Sequence, residues 1–317
     1  MKILANDGLS NSGVERLKNA GFEVLEHRVA QEQLANFINE NHIEVLLVRS
    51  ATKVRQDLID ACPSLKIIGR GGVGLDNIDV DYAKSKGLQV INTPLASSKS
   101  VAELVFAHLF SLARFLHESN RMMPLEGDTQ FKALKKSYAD ATELAGKTLA
   151  IIGFGSIGKE VAKIGIALGM KITAVTTKPK TETVSLKFFD GQTLEFSIET
   201  TDQIQKVLKD ADFISLNTPK TNGYIIDTPE FEAMKPGVMI VNTARGGVIN
   251  EQALLEFVEK GIVRGAALDV FEAEPQPALS LLMNPALSLS PHIAGSTKEA
   301  QDRIGTELAE QIINLKS

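Results

Sequence analysis

Residues 147–158 read KTLAIIGFGSIG. An apolar run ends on Gly153, and Gly155 and Gly158 complete the spacing GxGxxG. The residues that follow, KEVAKIGIALG, repeat their apolar positions at helical spacing. Strand, tight turn and helix in this order make a cradle for phosphate. Gly153 permits the turn, Gly155 lets a pyrophosphate approach the backbone, and Gly158 lets the helix pack on the strand. Free N–H groups and the helix dipole then favour an anion. A glycine-rich turn without a ligand is the plainer reading, and the surrounding strand and helix argue against it. The stretch predicts a dinucleotide-binding α/β unit.

The same alternation extends in both directions. Downstream lie the apolar strands MKITAVTT, ADFISLNTP, GVMIVNTARGG and VRGAALDVF, separated by helical stretches such as EQALLEFVEKG. Upstream, KILAN, FEVLEH, EVLLVRS, LKIIGR and LQVIN alternate with VERLKNAG, QEQLANFINENH and QDLIDACP. Strands alternating with helices across short loops predict parallel sheets with crossover helices. The fold class expected is α/β, with two doubly wound parallel-sheet domains. Residues 100–123 contain no Gly or Pro and are apolar on more than one side, which predicts one long helix. Residues 184–198 place Asp-Gly between alternating β-prone runs, which predicts a hairpin inserted in the second domain. A last amphipathic helix has no strand after it and is expected to return to the first domain. The boundaries expected are 1–98 with 292–317 for a discontinuous substrate domain, and 99–291 for the nucleotide-binding domain.

Composition narrows the classes of function. A chain of 317 residues has room for two domains. Its net charge of −5 gives no electrostatic case for nucleic acid or an anionic membrane. No apolar run approaches the roughly 20 residues of a bilayer span, and the start, MKILANDGLS, lacks a signal-peptide pattern. A single cysteine, Cys62, rules out an intramolecular disulfide; it reads as a small buried apolar residue at a helix end. A cytoplasmic setting is expected. No metal-ligand spacing is present.

Dinucleotide sites usually carry an acid at the end of the second strand, about 20 residues after the glycines, to hold the ribose hydroxyls. Here Thr176, Thr177 and Lys178 stand there. Without a carboxylate, a ribose phosphate meets no repulsion, and a lysine with two hydroxyls suits it. NADP is therefore expected to serve at least as well as NAD. The plain alternative is a solvated loop lysine and an unselective site.

Three further strand-end loops hold chemistry. NTARGG offers Arg245, LDVFEAEP offers Glu274, and SPHIAGS offers His292. Ligands of open α/β sheets bind at the carboxyl ends of the strands. Arg245 can fork a carboxylate or a keto oxygen. His292 can take the proton of a substrate hydroxyl while hydride leaves the same carbon, with Glu274 holding the imidazole. A capping arginine, an exposed glutamate and a structural histidine are the alternatives when each is taken alone.

The ordered set GFGSIG, NTARGGVINE, GAALDVFEAEP and SPHIAGST resembles the D-2-hydroxyacid dehydrogenase family, over essentially the whole chain. LLVRSATKV and GRGGVGLDNIDV are similar to the branch that acts on D-3-phosphoglycerate. The resemblance implies Arg245, Glu274 and His292 as the catalytic set. It implies a flavodoxin-like substrate domain, a Rossmann nucleotide-binding domain and a homodimer built through the latter. Cofactor contacts are implied at Ser156, Ile157, Thr218, Thr243, Ala244, Asp269 and Gly295 beside the glycines, and at Thr176 in place of the usual acid. For the substrate it implies the N–H groups of Gly72 and Val73 for the carboxylate, and Arg49 and Arg70 for a phosphate, with Arg245 and His292 at the reacting carbon. Feedback through an appended regulatory domain is not expected.

The function expected is hydride transfer between D-3-phosphoglycerate and NAD or NADP, giving 3-phosphohydroxypyruvate for serine synthesis. NADPH-dependent reduction of glyoxylate or hydroxypyruvate is the enzymatic alternative, favoured by the missing acid and opposed by Arg49 and Arg70. A non-catalytic protein that senses dinucleotide is the other class.

Overall fold

The computed structural model describes residues 1–316, so the last position of the expected 292–317 segment lies outside the described residues. The chain divides into two compact units. One comprises Met1–Ser100 together with the segment from Gly295 onward; the other is Val101–Ala294.

The first unit holds strands β1 (Lys2–Ala5), β2 (Glu23–Leu25), β3 (Val45–Val48), β4 (Ile67–Arg70) and β5 (Gln89–Asn92). They pair in parallel in the order β2-β1-β3-β4-β5. This is the flavodoxin-like winding, which leaves its loops at the carboxyl edge of the sheet. All four residues of β3 are buried, as a strand covered on both faces requires. One face packs Leu4, Leu46 and Ile68 against Leu34, Ile38 and Leu58. The other packs Ile3, Val45 and Leu47 with Leu17, and with Ala309 and Ile312 of the C-terminal helix Lys298–Lys316. Cys62 follows the helix Gln56–Ala61, and burial pushes its thiol up to about 11, so it stays protonated.

The second unit holds β6 (Thr148–Ile152), β7 (Lys171–Val175), β8 (Thr181–Lys187), β9 (Thr193–Thr201), β10 (Phe213–Leu216), β11 (Val238–Asn242), β12 (Val263–Leu268) and β13 (Leu287–Leu289). Their order is β13-β12-β11-β10-β6-β7-β9-β8. Every pairing is parallel except β8 with β9. The winding reverses between β6 and β10, so a crevice opens at the carboxyl ends of these two strands, where nucleotides bind in such sheets. Leu149, Ala150 and Ile151 of β6 are fully buried, with one set of side chains meeting helices on each face.

Two local expectations are corrected. The helix over 100–123 is two helices, Ser98–Ala113 and Leu116–Glu126, with Pro124 inside the second. The break falls at Phe115, whose φ of 52° is left-handed. No glycine or proline signals it. Tertiary contacts hold it: the Phe115 ring lies 5.7 Å from Tyr138 and 4.7 Å below the Arg264 guanidinium. The hairpin of 184–198 is longer, running from Thr181 to Thr201. It is also less of an insertion than the sequence suggests, because β9 pairs with β7 and serves as the third strand of that half of the sheet, with β8 added outside it. The short edge strand β13, Leu287–Leu289, supplies the strand end expected before SPHIAGS.

Candidate active site

The glycine loop follows β6, and each glycine has its own physical reason. Gly153 sits at φ 94°, and a Cβ there would stand 2.7 Å from the Asn217 carbonyl oxygen. A Cβ on Gly158 would stand 2.3 Å from the Gly153 carbonyl oxygen, so the helix Ser156–Ala167 packs on the turn only without a side chain. Gly155 is different: a Cβ there meets nothing within 4 Å. The fold does not need a glycine at that position; a ligand lying on the backbone does. Ser156 and Ile157 open the helix, and Ser156 is exposed.

Thr218 follows β10, and Thr243 and Ala244 follow β11. The hydroxyls of Thr218 and Thr243 are buried and have no hydrogen-bond partner. Two orphaned hydroxyls at the ends of adjacent strands, beside an open glycine, fit a polar cofactor laid along the sheet edge. Thr176 follows β7 and donates its N–H to the Thr201 carbonyl. Thr177 and Lys178 are exposed. Among the described residues Lys178 has no acidic partner. The carboxylate in the hairpin root, Glu182, is engaged 2.8 Å from Lys159 and 2.8 Å from Lys180. Hydrogen bonds from Lys159 and then Lys180 lower its pKa. The residues present therefore suit a dinucleotide, with no carboxylate at the position that would exclude a ribose phosphate.

The candidate catalytic pair lies in the same unit. His292 Nδ1 is 2.9 Å from Glu274 Oε2. Glu274 Oε1 accepts the Phe271 N–H at 2.9 Å, so the carboxylate is fixed at both oxygens. An ionised carboxylate only accepts, so Nδ1 carries the proton and Nε2 is presented with a lone pair. The pair is open to solvent, with 46% and 36% of the two side chains exposed. His292 has a φ of 53°, an uncommon backbone state for a residue with a Cβ. Beside the pair lies a hollow of about 420 Å³, lined by Phe271, Pro277, Leu282 and Leu289. Arg245 donates from Nη1 to the Ala244 carbonyl at 2.7 Å, while Asn242 holds the Arg245 carbonyl at 3.2 Å. Asp269 is fully buried; its oxygens accept from Ser290 Oγ at 2.6 Å, Ile293 N–H at 2.8 Å and Ala294 N–H at 2.9 Å. It thus clamps the loop that carries His292.

The first unit carries the remaining candidates. Arg49 follows β3, its backbone fixed by Asp7 at 2.7 Å and by the Asn77 amide at 2.7 Å. Its guanidinium has no partner among the described residues. Arg70 ends β4, and its guanidinium lies against the α-carbon of Gly72, where a Cβ would be 2.1 Å from Nη1. Gly72 has a φ of 143°, and the N–H groups of Gly72 and Val73 find no acceptor among the described residues. Adjacent unpaired N–H groups form a concavity suited to a carboxylate. Gly295 opens the second segment of this unit, near Ser97. Among the described residues no cluster of His, Cys, Asp and Glu could hold a metal ion, and no helix is long and apolar enough to cross a membrane. Sequence reasoning missed Ser288, Ser290 and His108, which back the histidine loop from inside; a serine, or a histidine in an apolar helix, gives no local signal of such a role.

Comparison with known proteins agrees with this picture. Residues 106–294 match the model of the D-isomer specific 2-hydroxyacid dehydrogenase, NAD binding domain. The chain is similar to a hydroxypyruvate reductase of Thermotoga maritima, 44% identical over 98% of this chain and 97% of that protein. It is similar to a D-3-phosphoglycerate dehydrogenase of Methanocaldococcus jannaschii, 40% identical over 98% of this chain but only 57% of the relative's length. A solved glyoxylate reductase from Paecilomyes thermophila superposes with a TM-score of 0.81 at 28% identity, covering 98% of this chain and 93% of the other. The chain belongs to the D-isomer specific 2-hydroxyacid dehydrogenases, enzymes that use NAD or NADP.

Proposed function

We propose that the enzyme interconverts D-3-phosphoglycerate and 3-phosphohydroxypyruvate, the step that feeds serine formation. The observation that carries this reading is Arg49, a guanidinium at a strand end with no acidic partner among the described residues. Arg49 and Arg70 hold the phosphate, and the N–H groups of Gly72 and Val73 hold the carboxylate. Arg245 orients the oxygen on C2 by charge-assisted hydrogen bonds. A nicotinamide cofactor, when bound, would supply or take the hydride at C2. His292 Nε2 takes the hydroxyl proton in oxidation and returns it in reduction, and Glu274 balances the imidazolium. The cofactor is held by Gly153, Gly155, Ser156, Ile157, Gly158, Thr218, Thr243, Ala244, Asp269 and Gly295. Thr176, Thr177 and Lys178 accept NADP at least as well as NAD. The proposed setting is cytoplasmic, without nucleic acid or membrane partners. The proposed assembly is a homodimer through the second unit, where Leu116, Leu125 and Phe131 are exposed apolar residues for such a contact to cover.

A second reading, reduction of hydroxypyruvate, is favoured by the near full-length likeness to a protein of that name. The two substrates differ only by the phosphate, so Arg49→Ala separates them. A charge-assisted contact is worth about 1.5–3 kcal/mol, so kcat/KM for 3-phosphohydroxypyruvate should fall about 10- to 100-fold. That for hydroxypyruvate should stay within about threefold. Equal effects on both, with hydroxypyruvate the better substrate of the unaltered enzyme, would establish the second reading.

A further inference from the structure

His108 lies in the helix Ser98–Ala113 among Val105, Phe106, Leu109 and Leu112, and is 6% exposed. A polar ring in such a setting has to be satisfied, and it is. Nδ1 is 3.0 Å from Ser288 Oγ, and Nε2 is 3.0 Å from Ser290 Oγ. Ser290 leads on: its hydroxyl is 2.6 Å from Asp269 Oδ1, a length typical of a hydroxyl donating to a carboxylate. Counting protons fixes the rest. Ser290 has one proton, given to Asp269, so its oxygen must accept from His108. Nε2 therefore carries the hydrogen of a neutral imidazole, and Nδ1 accepts from the Ser288 hydroxyl. Burial holds the His108 pKa below its ordinary value, which keeps this ring neutral; Asp269 opposes that and His117 adds to it.

The chain of hydrogen bonds ends at the catalytic loop. Asp269 accepts the Ile293 and Ala294 N–H groups, and Ser290 anchors its own N–H on the Leu268 carbonyl. These contacts flank His292 on both sides and hold it in its left-handed backbone state. Such a state is unfavourable for a residue with a Cβ and persists only where its surroundings impose it.

We propose that His108 is a positioning residue for the reaction: acting through Ser290 and Asp269, it fixes the turn that presents the His292 imidazole beside Glu274. The proposal rests on the reading of His292 as the proton-transfer group. It assigns a function to a histidine that touches neither the glycine loop nor His292.

His108→Leu removes both hydrogen bonds and leaves the apolar helix face filled. Misplacement of a catalytic group costs up to about 100-fold, so kcat should fall about tenfold with KM for the 2-keto acid and Kd for the cofactor within about twofold. His108→Gln supplies one donor and one acceptor and should recover most of kcat. Ser288→Ala should lower kcat less, and add nothing in combination with His108→Leu. Nitrogen-15 spectra of the unaltered enzyme should show His108 protonated at Nε2 alone. Unchanged kcat in His108→Leu overturns the proposal. So does a loss that extends equally to cofactor affinity and is not recovered by Gln, or a ring protonated at Nδ1. If His108→Leu fails to fold, the Ser288→Ala kinetics and the spectrum decide. If His292→Gln retains activity, the underlying reading of the site fails, while the spectrum still tests the His108 hydrogen bonds.

Discussion

Two loops of the second unit carry candidate site residues, and they are built on opposite principles. The glycine loop after β6 is shaped by missing side chains: Gly153 and Gly158 leave no room for a Cβ, and Gly155 leaves room for a ligand. The histidine loop after β13 is shaped by side chains that fill and bind: Asp269, Ser290 and His108 hold its backbone from inside, and Glu274 holds its ring. Both put polar groups at strand ends. Only the first is written in consecutive residues.

The sharpest way to break the comparison is within the glycine loop. Gly158→Ala forces a Cβ against the Gly153 carbonyl oxygen, a backbone atom that cannot swing aside. Overpacking costs about 1–3 kcal/mol, enough to lower the melting temperature by several degrees. The turn must shift, so cofactor Kd should rise about 100-fold. Gly155→Ala meets open space, so its melting temperature should stay within about a degree while cofactor Kd rises about tenfold. Fluorescence titration with reduced cofactor and calorimetry measure both. A Gly155→Ala protein that binds normally would mean the ligand does not lie on that backbone.

This contrast also explains what could be read from the chain. The two parallel sheets were legible because buried parallel strands are apolar runs, and TLAII or VMIV stand out at once. Glycine spacing was legible because Gly153 and Gly158 answer local steric demands, while Gly155 keeps the backbone open. The strand-end placement of Arg245, Glu274 and His292 was legible, and the structure brings Glu274 and His292 to hydrogen-bond distance. What stayed hidden depends on distance along the chain. The left-handed break at Phe115 is held by Tyr138 and Arg264, far away in sequence. The pairing of β9 with β7 depends on a hairpin whose Asp-Gly turn says nothing about its neighbour. The His108 contacts span 180 and 182 residues.

A milder probe tests the histidine loop. Asp269→Asn keeps the shape but replaces one acceptor oxygen by a donor, which then faces a backbone N–H or the Ser290 hydroxyl. An unsatisfied buried group costs about 1–3 kcal/mol, here spent on loosening the His292 turn. Steady-state kinetics should show kcat reduced about 30-fold, with a smaller rise in cofactor Kd. A raised Kd with kcat intact would instead make Asp269 a cofactor contact first and a clamp second.

The smallest effect is one of acidity, and it distinguishes the loops because only one is backed by a buried histidine. Burial lowers the pKa of His108 and likewise of His117, whose ring contacts Ser111 and the Pro285 carbonyl. In the unfolded chain both titrate near 6.5. Below that value the unfolded state binds protons that the folded state refuses, so stability is full above about pH 7 and declines as the pH falls toward the lowered folded values. The lowered carboxylates Glu44 and Glu182, held by Lys66 and Lys159, lose their contribution only as pH falls below their unfolded value of 4.5. Melting curves between about pH 7 and pH 5 should therefore report the histidines before Glu44 and Glu182. His108→Leu should flatten that slope, because a leucine has no proton to take up in either state. An unchanged slope would assign the acid sensitivity to His117 and leave His108 without part in it.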